Sequence, residues 1–595
     1  MLAIALSAVL LTAPCLTTGF VMDDFVLAVK AGHSAPVRGL PVDPLWLFTF
    51  TTGDPARNRL LIEEGVLLPW WTEPAHLNAF FRPLSALTHL LDFRLWPSSA
   101  AAMHAHSLFW FAALLLSLGY VYRRVDPSAA QAGFALLLFA IDDAHGATVG
   151  WIANRNALIC LALGLPALAT HHLWASGRSR VAAWLGPLFL AAGLCAGETA
   201  ISLLGYLIAY AVCVDARPVR TRVLSLMPYL VLLIAHRVLS HELGLGSFGS
   251  SAYHEPLREP IAFARALGYN LPVLLSAQLF LPVADLAFWG EVRAHGYLWV
   301  WAAITLSALA WLAWPLLRRD RHARFWALGM LLAAVPVSAS LPGERLLLAV
   351  GVGGSALLAR LMVALYQQAH AALRPGAPAF EGVVVPLWHV PVQMHALRVL
   401  AALHLLAAPF TLPMRALALE PLAKLSDRMN ETLPTKPPFA PTFVIVNAPI
   451  NALLSYLQVA RAVRGTPRPE HFYWLSSSSS DTYVSRIGVH TLRVEQERGF
   501  LLRPEETHYR ADVHSLPVGT TVALSGMEAR VAESTPDGRP KVVDFTFAEP
   551  LGSPDLVFGY YEDGDLIPLE LPAPDERVRF PAQDFFKTVL EEVVR

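Results

Sequence analysis

Apolar runs long enough to cross a bilayer dominate this chain. They fall at about 1–22, 101–122, 154–174, 182–197, 199–214, 223–239, 264–285, 297–317, 324–341, 346–366 and 396–413, with a shorter one at 128–141. As an α-helix rising about 1.5 Å per residue, a run of about 20 residues spans a hydrocarbon core about 30 Å thick. Lipid offers the backbone no hydrogen-bonding partners, so a helix is the form such a run adopts. Roughly eleven to thirteen transmembrane helices are expected. Composition agrees, since 55% hydrophobic and 15% charged residues over 595 positions is too apolar for a soluble protein of that length. The expected fold is a polytopic α-helical membrane protein.

The compact basic clusters at Arg123 and Arg124, SGRSR at 176–180, RPVRTR at 217–222 and RRDRHAR at 318–324 should face the cytoplasm. The loops beginning at Asp23, Asp142, Glu198 and Pro342 then face outward. Both flanks of 264–285 would lie outside, and Pro272 and Pro282 suit a re-entrant or broken segment there. Residues 1–22 carry no basic leader and read as a retained first span. Residues 23–81 form a long first outer loop whose pieces, such as LLIEEGVLLPWW, suit helices lying in the membrane interface. Trp70 and Trp71 would then sit at headgroup level.

The membrane domain is expected over 1–413, followed by a linker at 414–440 and a soluble β-rich or α+β domain at 441–595. In that last part charges, Pro, Gly and Ser rise, and β-type runs (FVIVNAP, TTVALSG, KVVDFTF) alternate with PDG and EDG turns. It is periplasmic if the last span ends outside. SSSSS at 476–480 reads as a flexible loop.

A net charge of -1 gives no basic face for nucleic acid. Cys15, Cys160, Cys195 and Cys213 lie in apolar segments without metal or redox spacing and read as buried thiols. His104 and His106, or His171 and His172, lack the i, i+4 spacing that chelates on a helix. No phosphate-cradling glycine motif opens a strand-to-helix turn, so a donor, if there is one, is lipid-borne.

Charges at span ends are costly beside lipid and turn toward protein or a polar cavity. Asp23 and Asp24 directly follow the first run. In IDDAHGATVGWIANRN at 141–156, Asp142, Asp143 and His145 close one apolar segment and Arg155 opens the next. Arg82 in FFRPL, Glu198 in AGETA, Arg237 in IAHRVL, and Glu344 and Arg345 in LPGERLLLAVG stand alone in apolar surroundings. Paired carboxylates can divide a general-base role from an electrostatic or metal-holding one. A guanidinium fork binds phosphate. Taken singly, each also fits an interfacial charge, a polar turn or a snorkelling side chain.

Taken in order, these motifs resemble the GT-C superfamily of membrane glycosyltransferases, nearest to the branch of protein O-mannosyltransferases and transmembrane TPR-containing O-mannosyltransferases. The series covers about residues 1–366: the acidic pair, FFRPLSALTHLLDFRLW, MHAHSLFWFAALLL, DDAHGATVGWIANR, the G-E-T-A turn and the P-G-E-R-x-L-L turn. The resemblance implies sugar transfer from a polyprenyl-phosphate donor at the outer face of a membrane, here a bacterial inner membrane. It implies Asp23 or Asp24 as base, and Asp142 and Asp143 near the acceptor or a divalent metal ion. Arg345, and with it Arg82, Arg155 and Arg237, would hold the donor phosphate, and His145 and Glu344 would stand in the same donor or acceptor region. Glu198 takes the place of a family K-E turn in which Gly197 replaces the lysine. Implied partners are membrane lipid, the polyprenyl-phosphate sugar and a lipid, glycan or protein acceptor. No TPR-like repeat or MIR-type insertion is visible, so the acceptor is not inherited from those relatives.

Two other classes share the bulk features. A transporter or flippase for a lipid-linked or envelope precursor would use the charges as a path. A non-catalytic anchor would carry a periplasmic binding domain, with Tyr473, Trp474, Tyr483, Tyr560 and Tyr561 as sugar-stacking aromatics, although core packing suits most of them.

Overall fold

The computed structural model describes residues 1–289, 295–373, 390–433, 441–574 and 576–594. Among them, six helices are long and apolar enough to cross a membrane: Ala100–Val125, Ile152–Ala175, Val219–Glu242, Gly296–Arg319, Glu344–His370 and Val392–Thr432. Ala129–Ala140 and Asp143–Val149, bent by 50° at their junction, add a broken seventh. Leu2–Thr17, Ala182–Ala196 and Glu198–Cys213 are shorter apolar helices. The chain is thus an integral membrane protein, with fewer full-length spans among the described residues than its apolar runs suggest. The segment at 264–285 is interrupted near its end and not at Pro272: helix Pro260–Leu279 runs through Pro272, is opened by a proline where no backbone N–H is needed, and stops before Pro282.

Helix starts follow ordinary capping chemistry. Ser99 Oγ accepts from the Ala102 N–H (3.3 Å), and Ser128 Oγ accepts from that of Gln131 (3.3 Å). Small residues bring helices into backbone contact, as at Gly205, where a Cβ would stand 2.8 Å from the Ala333 nitrogen. Tyr206 Oη donates to the Ala349 carbonyl (2.7 Å) and accepts from the Gly353 N–H (2.8 Å), tying helix Ser202–Cys213 to helix Leu347–Leu373 through one hydroxyl.

The two ends of the bundle differ. At one, buried Arg360 pairs with both Asp126 and Asp320, close to Arg123, Arg124, Arg318 and Arg319 at the ends of their helices. At the other, Ile152–Ala175, Glu198–Cys213 and Glu344–His370 begin and Arg321–Val337 stops. The outward assignment of the Asp23, Glu198 and Pro342 loops puts them at this second end, away from the basic clusters.

In the C-terminal region, strands Thr442–Ile445, His471–Trp474 and Leu556–Glu562 pair in parallel, with Asp565–Pro568 antiparallel at one edge. Helix Asn451–Arg464 joins the first two. A six-stranded antiparallel sheet runs in the order Arg577–Phe580, Thr482–Arg486, Thr491–Gln496, Pro540–Phe547, Met527–Ser534 and Thr521–Leu524. Along Met527–Ser534 the residues Met527, Ala529 and Val531 face inward, the two-residue period of a half-buried strand.

The first outer loop is no interfacial layer. It shares one apolar core with the C-terminal region, and Trp70 and Trp71 are each 2% exposed. Trp70 Nε1 donates to the Leu475 carbonyl (2.9 Å), and Trp71 Nε1 donates to that of Glu506 (3.2 Å). Arg510 Nε clamps the same turn by donating to the Trp71 carbonyl (2.5 Å). With its N–H given a protein acceptor, each indole is satisfied inside this core. The serine run is corrected too, since Ser476 to Ser480 are all buried. Ser476 Oγ donates to the Val446 carbonyl (2.7 Å) and Ser479 Oγ to Glu506 Oε1 (2.6 Å), so the hydroxyls are satisfied inside the fold.

Candidate active site

A polar cavity of about 210 Å³ opens at the second end of the bundle. Its charged lining is Asp23, Arg82, Glu198 and Arg345, with Asn78, Asn154, Asn156 and Tyr253 as further polar groups. Phe48, Phe50, Phe80 and Trp151 supply aromatic faces. Four residues singled out from the sequence therefore converge, although they come from 23, 82, 198 and 345.

The acidic pair divides its work. Asp24 is 2% exposed, and its carboxylate accepts from the backbone N–H groups of Val21 (3.0 Å) and Ala153 (2.8 Å). It staples the turn after the first helix to the start of the 152–175 span. Burial pushes its carboxyl up to about 7, against the pull of those two N–H donors. Asp23 faces the cavity and accepts a hydrogen bond from the Tyr456 hydroxyl. Burial raises its carboxyl too, opposed by Tyr456, Arg345 and Arg82. The C-terminal region thus reaches Asp23 through the Tyr456 hydroxyl.

The two cavity arginines differ in what they already hold. Arg82 Nε donates to Glu198 Oε2 (2.8 Å), and its guanidinium lies 4.3 Å from the Phe80 ring centroid. Arg345 donates to Tyr253 Oη (3.0 Å) and lies 5.6 Å from the Trp151 ring centroid. Among the described residues no carboxylate forms an ion pair with Arg345, which leaves its fork the freer of the two to bind an anion. His508, whose ring lies 5.8 Å from that of Tyr253, is held down to about 4 by burial and by Arg345, and is neutral near pH 7.

Other candidates lie elsewhere. Arg155 does not reach the cavity. It is fully buried, pairs with Asp92, and donates to Ser107 Oγ (2.9 Å) and the Met103 carbonyl (2.7 Å). His106 completes this group through Asp92 (2.6 Å). Arg237 is paired with Glu255. Asp142 caps the Ala144 N–H (3.1 Å) and accepts from Gln278 Nε2 (2.8 Å). Asp143 accepts from Thr411 Oγ1 (2.9 Å) and lies 3.9 Å from Arg415. Glu344 also pairs with Arg415 (2.8 Å), and Asp285 stands 3.6 Å from the same guanidinium. His145 is buried with its ring 4.3 Å from that of Phe139.

Of these, Asp142 and Asp143 were expected near the acceptor or a divalent metal ion. The residues do not fit one: Arg415 supplies the positive charge among the carboxylates, and among the described residues no cluster of three or more His, Cys, Asp or Glu is placed to hold an ion. Sequence reasoning missed Tyr253, Tyr456, Asp285 and Arg415. None carries a local signal, because each acquires its role from a partner at least 59 residues away, the shortest being the Glu344 N–H on Asp285 (3.0 Å).

Fold and site together define a polytopic membrane protein with a polar, aromatic-lined cavity at one end of its bundle and a C-terminal α+β region that contacts Asp23 in its lining. No protein-family model matches the chain, and no curated protein matches it in sequence. Among solved structures, it overlays on an Archaeoglobus fulgidus oligosaccharyltransferase tethered to an acceptor peptide, at 13% identity and a TM-score of 0.35, covering 76% of this chain and 63% of that one. The apo form of that enzyme gives 13% identity and a TM-score of 0.36 over 76% and 64%. ArnT from Cupriavidus metallidurans bound to undecaprenyl phosphate overlays at 12% identity and a TM-score of 0.33 over 73% and 83%. The chain thus spans under two thirds of the oligosaccharyltransferase, and all three overlays are shallow.

Proposed function

We propose that the chain is a GT-C-type glycosyltransferase that moves a sugar from a polyprenyl-phosphate donor to an acceptor hydroxyl at the outer face of the membrane. The observation that carries this reading is the convergence of Asp23 and Arg345 on one aromatic-lined cavity. Asp23 is the base, because Asp24 spends both carboxylate oxygens on backbone N–H groups. Asp23 takes the proton of the acceptor hydroxyl as its oxygen bonds to the anomeric carbon. The bond from that carbon to the donor phosphate breaks, and the polyprenyl phosphate leaves with the electron pair, its charge met by Arg345. Burial raises the Asp23 carboxyl, which makes its ionised form a stronger base than a solvated carboxylate.

Phe48, Phe50, Phe80 and Trp151 supply faces on which a sugar ring packs, and the asparagine amides can bond its hydroxyls. A transport path would need charges near mid-membrane, whereas those of the cavity gather at one end of the bundle.

The test replaces Asp23 and Asp24 separately with Asn in membrane vesicles given labelled polyprenyl-phosphate sugars. Asp23→Asn is expected to lose at least about 10²-fold in turnover, with Asp24→Asn affecting protein yield more than turnover per folded molecule. Full turnover by Asp23→Asn would remove the base assignment.

A further inference from the structure

Helix Asn451–Arg464 of the C-terminal region packs against helix Asp23–Lys30. Tyr456 on it donates its hydroxyl to Asp23 Oδ1. We propose that Tyr456 is a positioning residue for Asp23, its hydrogen bond fixing the carboxylate in the cavity and setting how readily it takes a proton. The C-terminal region is then a working part of the site, and not a separate module. The inference rests on reading Asp23 as the base.

Geometry supports it first. Among the described residues, Tyr456 is the one side chain that hydrogen-bonds Asp23. The other charged or titratable groups facing Asp23 are Asp24 on its own helix, Arg82 ahead of helix Pro83–Leu95, Arg345 in the 344–346 turn and Tyr509 from the C-terminal region. The arginines act through space. Tyr509 is engaged with Ser455 (3.0 Å).

Chemistry supports it next. A donor to the ionised form of a carboxylate favours that form, opposing the burial that pushes Asp23 upward. Burial holds the Tyr456 phenol well above its usual range, so it stays protonated and donates. Tyr456 thereby favours the ionised form of a desolvated aspartate and holds one of its two oxygens in place.

The experiment uses the full chain in nanodiscs. The Asp23 carboxyl is titrated by infrared difference spectroscopy, with Asp23→Asn as the subtraction reference. Tyr456→Phe keeps the ring and removes the donor, and the Asp23 titration is expected to move up by about one pH unit. A ring-fluorinated tyrosine at 456, a stronger donor, should move it down. If Tyr456→Phe fails to fold, the fluorinated variant decides alone. An Asp23 titration unmoved in a folded variant overturns the inference, since a merely structural tyrosine would alter stability and leave the titration in place. The two readings fail separately. Wild-type sugar transfer by Asp23→Asn would remove the catalytic assignment, while the infrared titration would still report whether Tyr456 governs Asp23.

Discussion

Replacing Arg345 with Gln asks how much of the transfer rests on one guanidinium. One of its nitrogens already donates to Tyr253 (3.0 Å) and its face lies over Trp151. The side chain is therefore held in place before any substrate arrives, and little rotamer entropy remains to be lost on binding. No ion pair among the described residues competes for its charge. A hydrogen bond to a charged group is worth about 1.5–3 kcal/mol, and the fork has room for one or two to a phosphate oxygen. Losing about 3 kcal/mol corresponds to a fall in kcat/KM of about 10²-fold. Part of the loss should fall on kcat, because the leaving phosphate gains charge in the transition state. Arg345→Lys keeps the charge without the fork and should recover about tenfold of that loss. The assay is initial rate against concentration of a labelled polyprenyl-phosphate sugar in nanodiscs, with the melting temperature checked in parallel. A folded Arg345→Gln protein with unchanged kcat/KM would falsify the assignment of Arg345 to the donor phosphate.

Asp24→Ala strands the buried N–H groups of Val21 and Ala153, at about 1–3 kcal/mol each. It should lower the unfolding midpoint clearly, and an unchanged midpoint would contradict the staple. The Asp24 carboxyl, raised to about 7 in the fold, sits above its ordinary value of about 3.9 in an unfolded chain. Its contribution to stability is thus fully present below about pH 4 and lost as pH rises through about 7, a slope that Asp24→Asn should flatten in melts across that range. For turnover, Asp23 must be ionised and its carboxyl is also raised. The rate should climb with pH across a limb lying above the usual carboxylate range, and a flat profile there would count against Asp23 as base.

The candidate site was legible in part. Asp23, Arg82, Glu198 and Arg345 stood out because a charge flanked by apolar sequence must find a polar destination, and they share one. Arg155 stood out on the same ground, yet its destination is Asp92, inside the protein. Cost beside lipid shows that a partner exists and does not say which. Asp142 and Asp143 suited an acceptor or metal role because sequence shows carboxylates without the arginine that neutralises them, and Arg415 lies 3.9 Å from Asp143.

By itself the sequence determined the membrane class, the basic end of the bundle and the α+β character of the tail. These follow from run length, charge and periodicity, all local along the chain. Only the tertiary structure decided that Asp23 rather than Asp24 faces the cavity, because neighbours on one helix point to different surroundings. It alone showed that Trp70 and Trp71 are buried against residues beyond 470 and that Tyr456 reaches Asp23. Those contacts join segments about 400 residues apart. Their energy comes from shape and hydrogen-bond fit between distant surfaces, which no local pattern of residue types encodes.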